Sequence, residues 1–403
     1  MSRPTVEDRS PAPRRDDTPD RTRILLLAGT RPEAVKVAPV AIALADHPVL
    51  CPVLVHSGQH GDVVRQALRP FGLVPDVELA VERGSGSQAE LTAALLPALD
   101  EAMARIRPAA VLVQGDTTTT FAGALAAFWR GIHIVHLEAG LRTGELHAPF
   151  PEEGNRQMVS RIASLHLAPS QAAADALNRE SVSRGEIVIT GNTVVDAVRH
   201  IAMADLPPSS PALAELEREL DATGDRLVLV TAHRRESWGA PLDEVLAAVR
   251  EMTRRHADIS VVLPCHPNPA VRGQVMAALS GRARVHVIDP LDYPDLIRVL
   301  RRATLVLTDS GGIQEEAPSF GVPVLVLRTA TERMEAVRAG CAWLVGTDAD
   351  RIVAAGDRLL GKRLRLPVGH NPFGDGKAAQ YVVAALERLL HPAESACGRA
   401  AEV

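Results

Sequence analysis

A chain of 403 residues, 46% hydrophobic and 23% charged, is long enough for two domains with a core each and has an ordinary soluble, globular composition. A formal net charge of −5 with aromatics at 3% and no clustered basic face argues against a nucleic-acid-binding role, and no apolar run approaches the ~18 residues of a membrane span. The four cysteines, Cys51, Cys265, Cys341 and Cys397, are far apart and show no CxxC spacing, which fits unpaired thiols in a reducing cytoplasm rather than a structural zinc site.

Residues 1–21 are rich in Pro and in both charge signs without an apolar core; they read as a disordered extension, not a signal peptide. From Arg23 the pattern becomes strand, glycine turn, helix. RILLLAGT ends in Gly29, and RPEAVKVAPVAIALADH follows with helical apolar spacing and Pro32 in a first-turn position. Backbone N–H groups there, flanked by Arg31 and Lys36, suit a phosphate; a solvated Arg and Lys on a helix surface is the plainer alternative. CPVLVHSGQH is the next strand and loop, ending in Gln59 and His60. SQAELTAALLPALDEAMARIRP reads as a long amphipathic helix that Pro97 should kink or split.

The stretch from Val111 to Arg156 carries the chemistry. A buried run ends in Gly115, Asp116 and four threonines; a second run, Ile132 to Leu137, ends in Glu138; after a loop, Pro151-Glu152-Glu153 opens a helix. Loops at strand ends of an open α/β sheet edge the ligand crevice, so Asp116, Glu138 and Glu152 or Glu153 reach one crevice from separate segments. Each has a plainer reading: Asp116 as a helix cap, Glu152 and Glu153 as complements to a helix dipole. Glu138, directly after IVHL, is out of place unless paired or working. His133 and His136 point to opposite faces of their strand and cannot share one metal ion; His136 shares the face of Glu138.

LHLAPS, a helix and EIVITGNTVVDAV complete the first half, and Asp205 to Asp225 breaks the rhythm as a candidate boundary. Alternation restarts at DRLVLVTAHRRES and continues through ISVVLPCHPNP, ARVHVIDP, ATLVLTDSGGIQEEAPSFG, VPVLVLR and AWLVGT to a last helix, KAAQYVVAALERLL. Two such series imply two doubly wound, Rossmann-like α/β domains facing across a cleft. No Walker A loop and no GxGxxG is present, which removes the main support for P-loop and dinucleotide readings. Instead, Ser310, Gly311 and Gly312 bring backbone N–H groups toward a phosphate, and a glutamate one turn inside the helix suits ribose hydroxyls; a capped helix with a solvated acidic turn is the alternative. Paired glycines weaken a helix start that otherwise has no need of them. His233, Arg234 and Arg235 follow a buried run and suit an anionic ligand. His266 and Asn268 lie in a Pro-locked turn, and Thr331, Glu332 and Arg333 open another helix.

Taken together, GTRPEAVKVAPV, QGDTTTT, HLEAGLRTG, PFPEEGNRQ, ITGNTVVDA, HRRES, DSGGIQEEAPSFGVPVL, TERMEAV, LVGTD and HNPFGDGKA resemble the non-hydrolysing UDP-N-acetylglucosamine 2-epimerases, in order and over nearly everything but the tails. The resemblance implies the glycosyltransferase-B (GT-B) architecture: an N-terminal domain over 22–200, a C-terminal nucleotide-binding domain over 201–375, a helix over 376–392 crossing back to the first domain, and a tail over 393–403. It implies interconversion of UDP-GlcNAc and UDP-ManNAc through an enzyme-bound 2-acetamidoglucal, without redox cofactor or metal, by a cytoplasmic homodimer.

Carried over by motif, Asp116, Glu138 and Glu152 form the acid/base set. His233 is the fourth catalytic residue, placed with Arg31 and Lys36 toward the diphosphate, where developing negative charge needs stabilising; Ser310, Gly311 and Gly312 match the phosphate turn, Glu316 the ribose ligand and Arg333 a nucleotide contact. Some bacterial members bind a second UDP-GlcNAc as an activator, and Gln59, His60, Arg234 and His266 are similar to residues used there. Thr329 and Met334 stand where many members carry Asp and Pro, and Cys265 and Pro267 flank His266 where apolar residues are commoner. The same fold with altered chemistry gives a hydrolytic epimerase releasing ManNAc and UDP, or a 2-epimerase of a modified UDP-sugar. A GT-B glycosyltransferase and a non-catalytic nucleotide-sugar sensor are further alternatives.

Overall fold

The computed structural model describes residues 21–392 except 60, 82, 83, 85, 183, 184, 233, 235, 236, 363–365 and 368–370. His60, His233, Arg235, the expected extension before Arg21 and the tail from 393 therefore lie outside the described residues. The chain divides into two compact units, Met1–Ala197 with Gly376–Val403, and Val198–Asp375.

In the first unit the elements follow one another as β1 (Thr22–Ala28), α1 (Arg31–Ala45), β2 (Leu50–His56), α2 (Gly61–Leu68), β3 (Val77–Glu78) and α3 (Gln88–Ile106). Then come β4 (Ala110–Gln114), α4 (Thr118–Trp129), β5 (His133–Leu137), α5 (Glu152–Ile162), β6 (Leu165–Ala168), α6 (Gln171–Arg179) and β7 (Glu186–Ile189). The strands form one parallel sheet in the order β3-β2-β1-β4-β5-β6-β7. Helices cover both of its faces, which is why β1 and β4 are continuous apolar runs rather than alternating ones. Leu25, Leu27, Val111 and Val113 pack with Leu95, Leu99 and Met103 of α3 and with the alanines of α4 in one core. Pro97 does not split α3. Its ring lies on the exposed face, so the lost backbone hydrogen bond faces water while Leu95, Leu99 and Met103 hold the helix to the sheet. Arg21, at the end of the expected extension, is part of this unit: its guanidinium donates to the carbonyls of Leu44 (2.7 Å) and Leu50 (3.0 Å).

The division between the units falls within α7 (Thr193–Ala204). The second unit continues with α8 (Pro211–Thr223), β8 (Arg226–Thr231), α9 (Ala240–Arg255), β9 (Ile259–Pro264), α10 (Pro269–Leu279) and β10 (Val285–Ile288). It ends with α11 (Tyr293–Arg302), β11 (Ala303–Thr308), α12 (Gly311–Glu316), β12 (Val324–Val326), α13 (Met334–Arg338), β13 (Ala342–Leu344) and α14 (Ala349–Gly361). Its parallel sheet runs β10-β9-β8-β11-β12-β13, with Val228, Val230, Leu246, Val261, Leu305 and Leu307 in the core. The last helix, α15 (Ala378–Leu390), belongs to the first unit. It packs on α1, and Asp196 caps it by accepting from the Ala378 and Ala379 N–H groups.

The strand order reverses beside the first strand of each sheet: β1 lies between β2 and β4, and β8 between β9 and β11. The loops after β1 and β4, and after β8 and β11, therefore diverge to opposite faces and leave a crevice at the strand ends. Among the described residues no helix is long and apolar enough to cross a membrane.

Candidate active site

In the first unit Gln114, the last residue of β4, is in register with Leu137, the last of β5. Gly115-Asp116 and Glu138 consequently leave the sheet side by side. Gly115 has φ +70°, and a Cβ built on it would lie 3.8 Å from Glu138 Oε2, so the turn carrying Asp116 passes directly against the Glu138 carboxylate. Glu138 itself has φ +63°, a left-handed conformation that costs a non-glycine residue about 1–3 kcal/mol and is held only where surroundings over-determine it. The surroundings do so. Lys36 Nζ lies 2.5 Å from Glu138 Oε1 in a buried ion pair, Asn192 Nδ2 donates to the same oxygen at 3.1 Å, and Gln114 donates to Oε2. Three donors converge on the carboxylate that a purely apolar neighbourhood would exclude.

Asp116 is held from the opposite side by α5. Arg156 donates to Asp116 Oδ2 at 2.5 Å, and Asn155 Nδ2 donates to the Asp116 carbonyl at 2.9 Å. Arg156 is buried and lies 3.3 Å from Glu153. Glu153, fully buried, accepts from the Thr143 N–H and from Gln157. Burial pushes its carboxyl up, but the bonds from Gln157 and Thr143 and the charge of Arg156 outweigh that and leave it below its ordinary value. Glu153 thus ties the loop before α5 to the helix, and Glu152, half-buried, is the first residue of α5.

Beneath the turn, the buried His136 ring bonds the Gly115 carbonyl through Nε2 at 2.8 Å. Burial pushes the imidazole down to about 3, with His166, Arg142 and Arg156 adding to the depression, so the ring is neutral at ordinary pH. A neutral ring bonded to a carbonyl carries its proton on Nε2.

The four threonines are locks as well as a helix start. Thr117 caps α4 by accepting from the Thr120 N–H and also donates to Glu33 Oε1 at 2.5 Å. Thr118 donates to Gln88 Oε1 and Thr119 to Gln59 Oε1, each at 2.6 Å, while Thr120 donates to the Gln114 carbonyl at 2.6 Å and its hydroxyl lies 3.0 Å from Glu33 Oε1. Glu33, 1% exposed, also accepts from the Gly29 N–H at 2.9 Å. Burial raises its carboxyl above the ordinary range, against the opposing hydrogen bonds of Thr117, Thr30, Gly29 and Thr120. Arg31 is exposed at the start of the same helix.

In the second unit the loops after β8 and β11 are joined by Asp309. Its buried carboxylate accepts from the Arg234 N–H and from Ser237 Oγ, each at 2.9 Å. The Thr231 and Thr308 hydroxyls meet at 2.6 Å, and Thr308 also accepts from the Ser310 N–H. Gly311 has a reason the sequence did not disclose: a Cβ there would lie 3.2 Å from Arg333 Cζ, so the missing side chain makes room for the guanidinium. Arg333 Nε in turn donates to buried Glu315 at 2.9 Å. Gly312 is under no such pressure, and Glu316 is buried at the end of α12. Burial would raise Glu332, but the bond to Arg328 and the charge of Arg333 outweigh it and push it down to about 2. His266 accepts from the Asn268 N–H at 3.1 Å and packs on Trp238, which gives it a structural task.

The first unit thus brings together Asp116, Glu138 and Lys36 and ties Asp116 to α5, the helix that begins with Glu152; the second brings together Arg234 with the DSGG turn, and Gly311 with Arg333. Gln59 belongs to the first unit, and Arg234 and His266 to the second. Glu33, Gln114, Arg156, Asn192 and Asp309 are participants that no motif reading singled out. Among the described residues no group of three or more His, Cys, Asp or Glu is placed to hold a metal ion.

Known proteins are similar to this chain in sequence and fold. The family model for UDP-N-acetylglucosamine 2-epimerase matches residues 42–387. The UDP-N-acetylglucosamine 2-epimerase of Escherichia coli (strain K12) is 42% identical over 374 residues, 91% of this chain and 98% of that protein. The S. aureus MnaA–UDP co-structure superposes with a TM-score of 0.81 at 38% identity, covering 92% of this chain and 97% of that one. UDP-GlcNAc 2-epimerase from Neisseria meningitidis bound to UDP-GlcNAc gives 0.80 at 35% identity, covering 91% and 100%.

Proposed function

The chain belongs to the UDP-N-acetylglucosamine 2-epimerase family, and from that premise we propose that it interconverts UDP-GlcNAc and UDP-ManNAc by elimination and re-addition of UDP. One base takes the proton from C2 while the C1–oxygen bond to UDP breaks, leaving a C1=C2 double bond in a 2-acetamidoglucal. A diphosphate oxygen of UDP then re-forms the bond to C1, and an acid delivers a proton to the opposite face of C2. Inverting one carbon in this way requires proton-transfer groups on both faces of the ring.

The observation that carries the reading is the pair Asp116 and Glu138, set side by side at neighbouring strand ends and each held by its own cation, Arg156 and Lys36. Glu152, at the start of the helix that grips Asp116, is the third member. Lys36 acts on this reading by fixing Glu138, while Arg31 and His233 serve the diphosphate. Ser310, Gly311, Gly312 and Arg333 take the phosphates, and Glu316 takes the ribose. The complexes with UDP and with UDP-GlcNAc among related structures support a UDP-sugar substrate.

A second UDP-GlcNAc acting as activator on Gln59, His60, Arg234 and His266 belongs to the same proposal, as does a homodimer. Exposed Phe128, Trp129 and Met158, on the packed helices α4 and α5, support an apolar contact with a second copy. A cytoplasmic setting belongs to the same proposal, supported by the buried thiols of Cys265 and Cys341, which form no disulfide. The test is ³¹P and ¹H NMR of the full-length protein incubated with UDP-GlcNAc. UDP-ManNAc at equilibrium with UDP-GlcNAc is the expected result; accumulation of free ManNAc and UDP identifies a hydrolytic epimerase instead, and an unchanged substrate spectrum removes the proposal.

A further inference from the structure

Helix α1 carries two side chains one turn apart, Glu33 and Lys36, that reach different loops. Lys36 holds Glu138, at the end of β5. Glu33 Oε1 accepts from Thr117, in the turn that carries Asp116, with the Thr120 hydroxyl 3.0 Å away, and Oε2 accepts from the Gly29 N–H after β1. Residues three apart on a helix share a face at fixed spacing. We infer that Glu33 is a positioning residue that, with Lys36, makes the first two turns of α1 a ruler setting the distance between Asp116 and Glu138. This rests on the proposed reaction, because it concerns the separation of that reaction's two carboxylates.

A glutamate at the third position of a helix often reaches back to the N–H groups at its start, and the bond to Gly29 is of that kind. That role accounts for Oε2 alone. It leaves unexplained why the other oxygen takes the hydroxyl of Thr117, the cap of α4, and why the carboxylate is almost completely buried. Three donors, the Gly29 N–H, the Thr117 hydroxyl and the Thr30 hydroxyl, fit an acceptor on both oxygens. Glutamine keeps the shape but turns an NH2 toward either the threonines or the Gly29 N–H, where one donor must meet another.

The experiment compares Glu33→Gln with the unaltered full-length protein in steady-state turnover of UDP-GlcNAc and in thermal unfolding. The expected result is a kcat lower by about 30- to 100-fold with KM within about threefold, since a displacement of about 1 Å in a reacting constellation costs on the order of 100-fold. Should Glu33→Gln fail to fold, Thr117→Val removes the donor to Glu33, together with the cap of α4, at constant shape and is expected to lower kcat by about 10-fold at unchanged KM, beyond any loss that follows the folded fraction. Thr117→Ser, which restores the hydroxyl, recovers the rate. A Glu33→Gln kcat within threefold of the parent, a loss carried by KM, or a loss that follows only the folded fraction overturns the inference. So does full activity in Thr117→Val. If the unaltered protein makes no UDP-ManNAc, the proposed function fails; if it does while both variants match it, only the role of Glu33 fails.

Discussion

The two units place a buried carboxylate at the same topological point and use it in opposite directions. In the first, Glu33 sits on the helix after the first strand and grips the turn after the fourth. In the second, Asp309 follows the fourth strand of its series, β11, and grips the loop after the first, β8. Both solve one problem: loops diverging at a switch point need a tie. What surrounds the tie differs. Around Glu33 stand further carboxylates, each matched to a cation: Asp116 to Arg156, Glu138 to Lys36. Around Asp309 stand Ser310, two glycines and an arginine whose guanidinium occupies the space a side chain at Gly311 would take. The scaffold is common, and on the proposed reaction the loops that carry acids assign proton transfer to one unit, while the loops that carry donors assign anion binding to the other.

Replacing the acids should show this asymmetry most strongly. Asp116→Asn and Glu138→Gln are each expected to lower kcat by about a thousandfold, the range of lost general acid–base catalysis, while UDP affinity by calorimetry changes by less than about threefold. A comparable loss of UDP affinity would merge the two roles.

Next in size, Lys36→Met strips the cation from a carboxylate that stays buried. Breaking a buried pair in this way costs about 3–5 kcal/mol, so denaturant unfolding should shift by that amount and kcat should fall on the order of 100-fold. A variant of unaltered stability would mean that Glu138 needs no counter-charge.

In the second unit, Asp309→Ala leaves the Arg234 N–H and Ser237 Oγ without their acceptor. At about 1–3 kcal/mol the loop loosens, and UDP-GlcNAc KM is expected to rise about 10-fold with kcat nearly held. A fall in kcat at constant KM would contradict the division.

The smallest effect is on pH. His136 titrates near 3 in the folded protein, against 6.5 for an ordinary imidazole. Between those values the unfolded chain binds the extra proton, so this group's contribution is complete above about 6.5 and declines as pH falls toward 3. His136→Asn should make the fall of Tm between pH 7 and 5 shallower than in the parent; an identical slope would show that another group governs it.

The strand–turn–helix rhythm was legible because parallel strands covered on both faces must be apolar throughout, and Asp116 and Glu138 stood out because each ends such a run. The supports were not. Glu33 looks like any acidic residue in a first helical turn, Asn192 like a turn residue, and Gln114 like the polar end of a strand; their partners lie far along the chain, where local pattern carries no information. Gly311 was read as an approach to phosphate, while the structure shows that it also admits Arg333. Pro97 was expected to kink or split α3; the helix is not split, because the exposed position of Pro97 let packing on the other side prevail. The left-handed backbone at Glu138 likewise has no signature in residue order.

The most direct measurement is hydrogen exchange at C2 of the sugar, followed by ¹H NMR during turnover of UDP-GlcNAc in deuterated water. The account predicts deuterium at C2 of both UDP-GlcNAc and UDP-ManNAc, at a rate that collapses in Asp116→Asn and Glu138→Gln. Epimerised, UDP-linked product that keeps its original C2 hydrogen would contradict it.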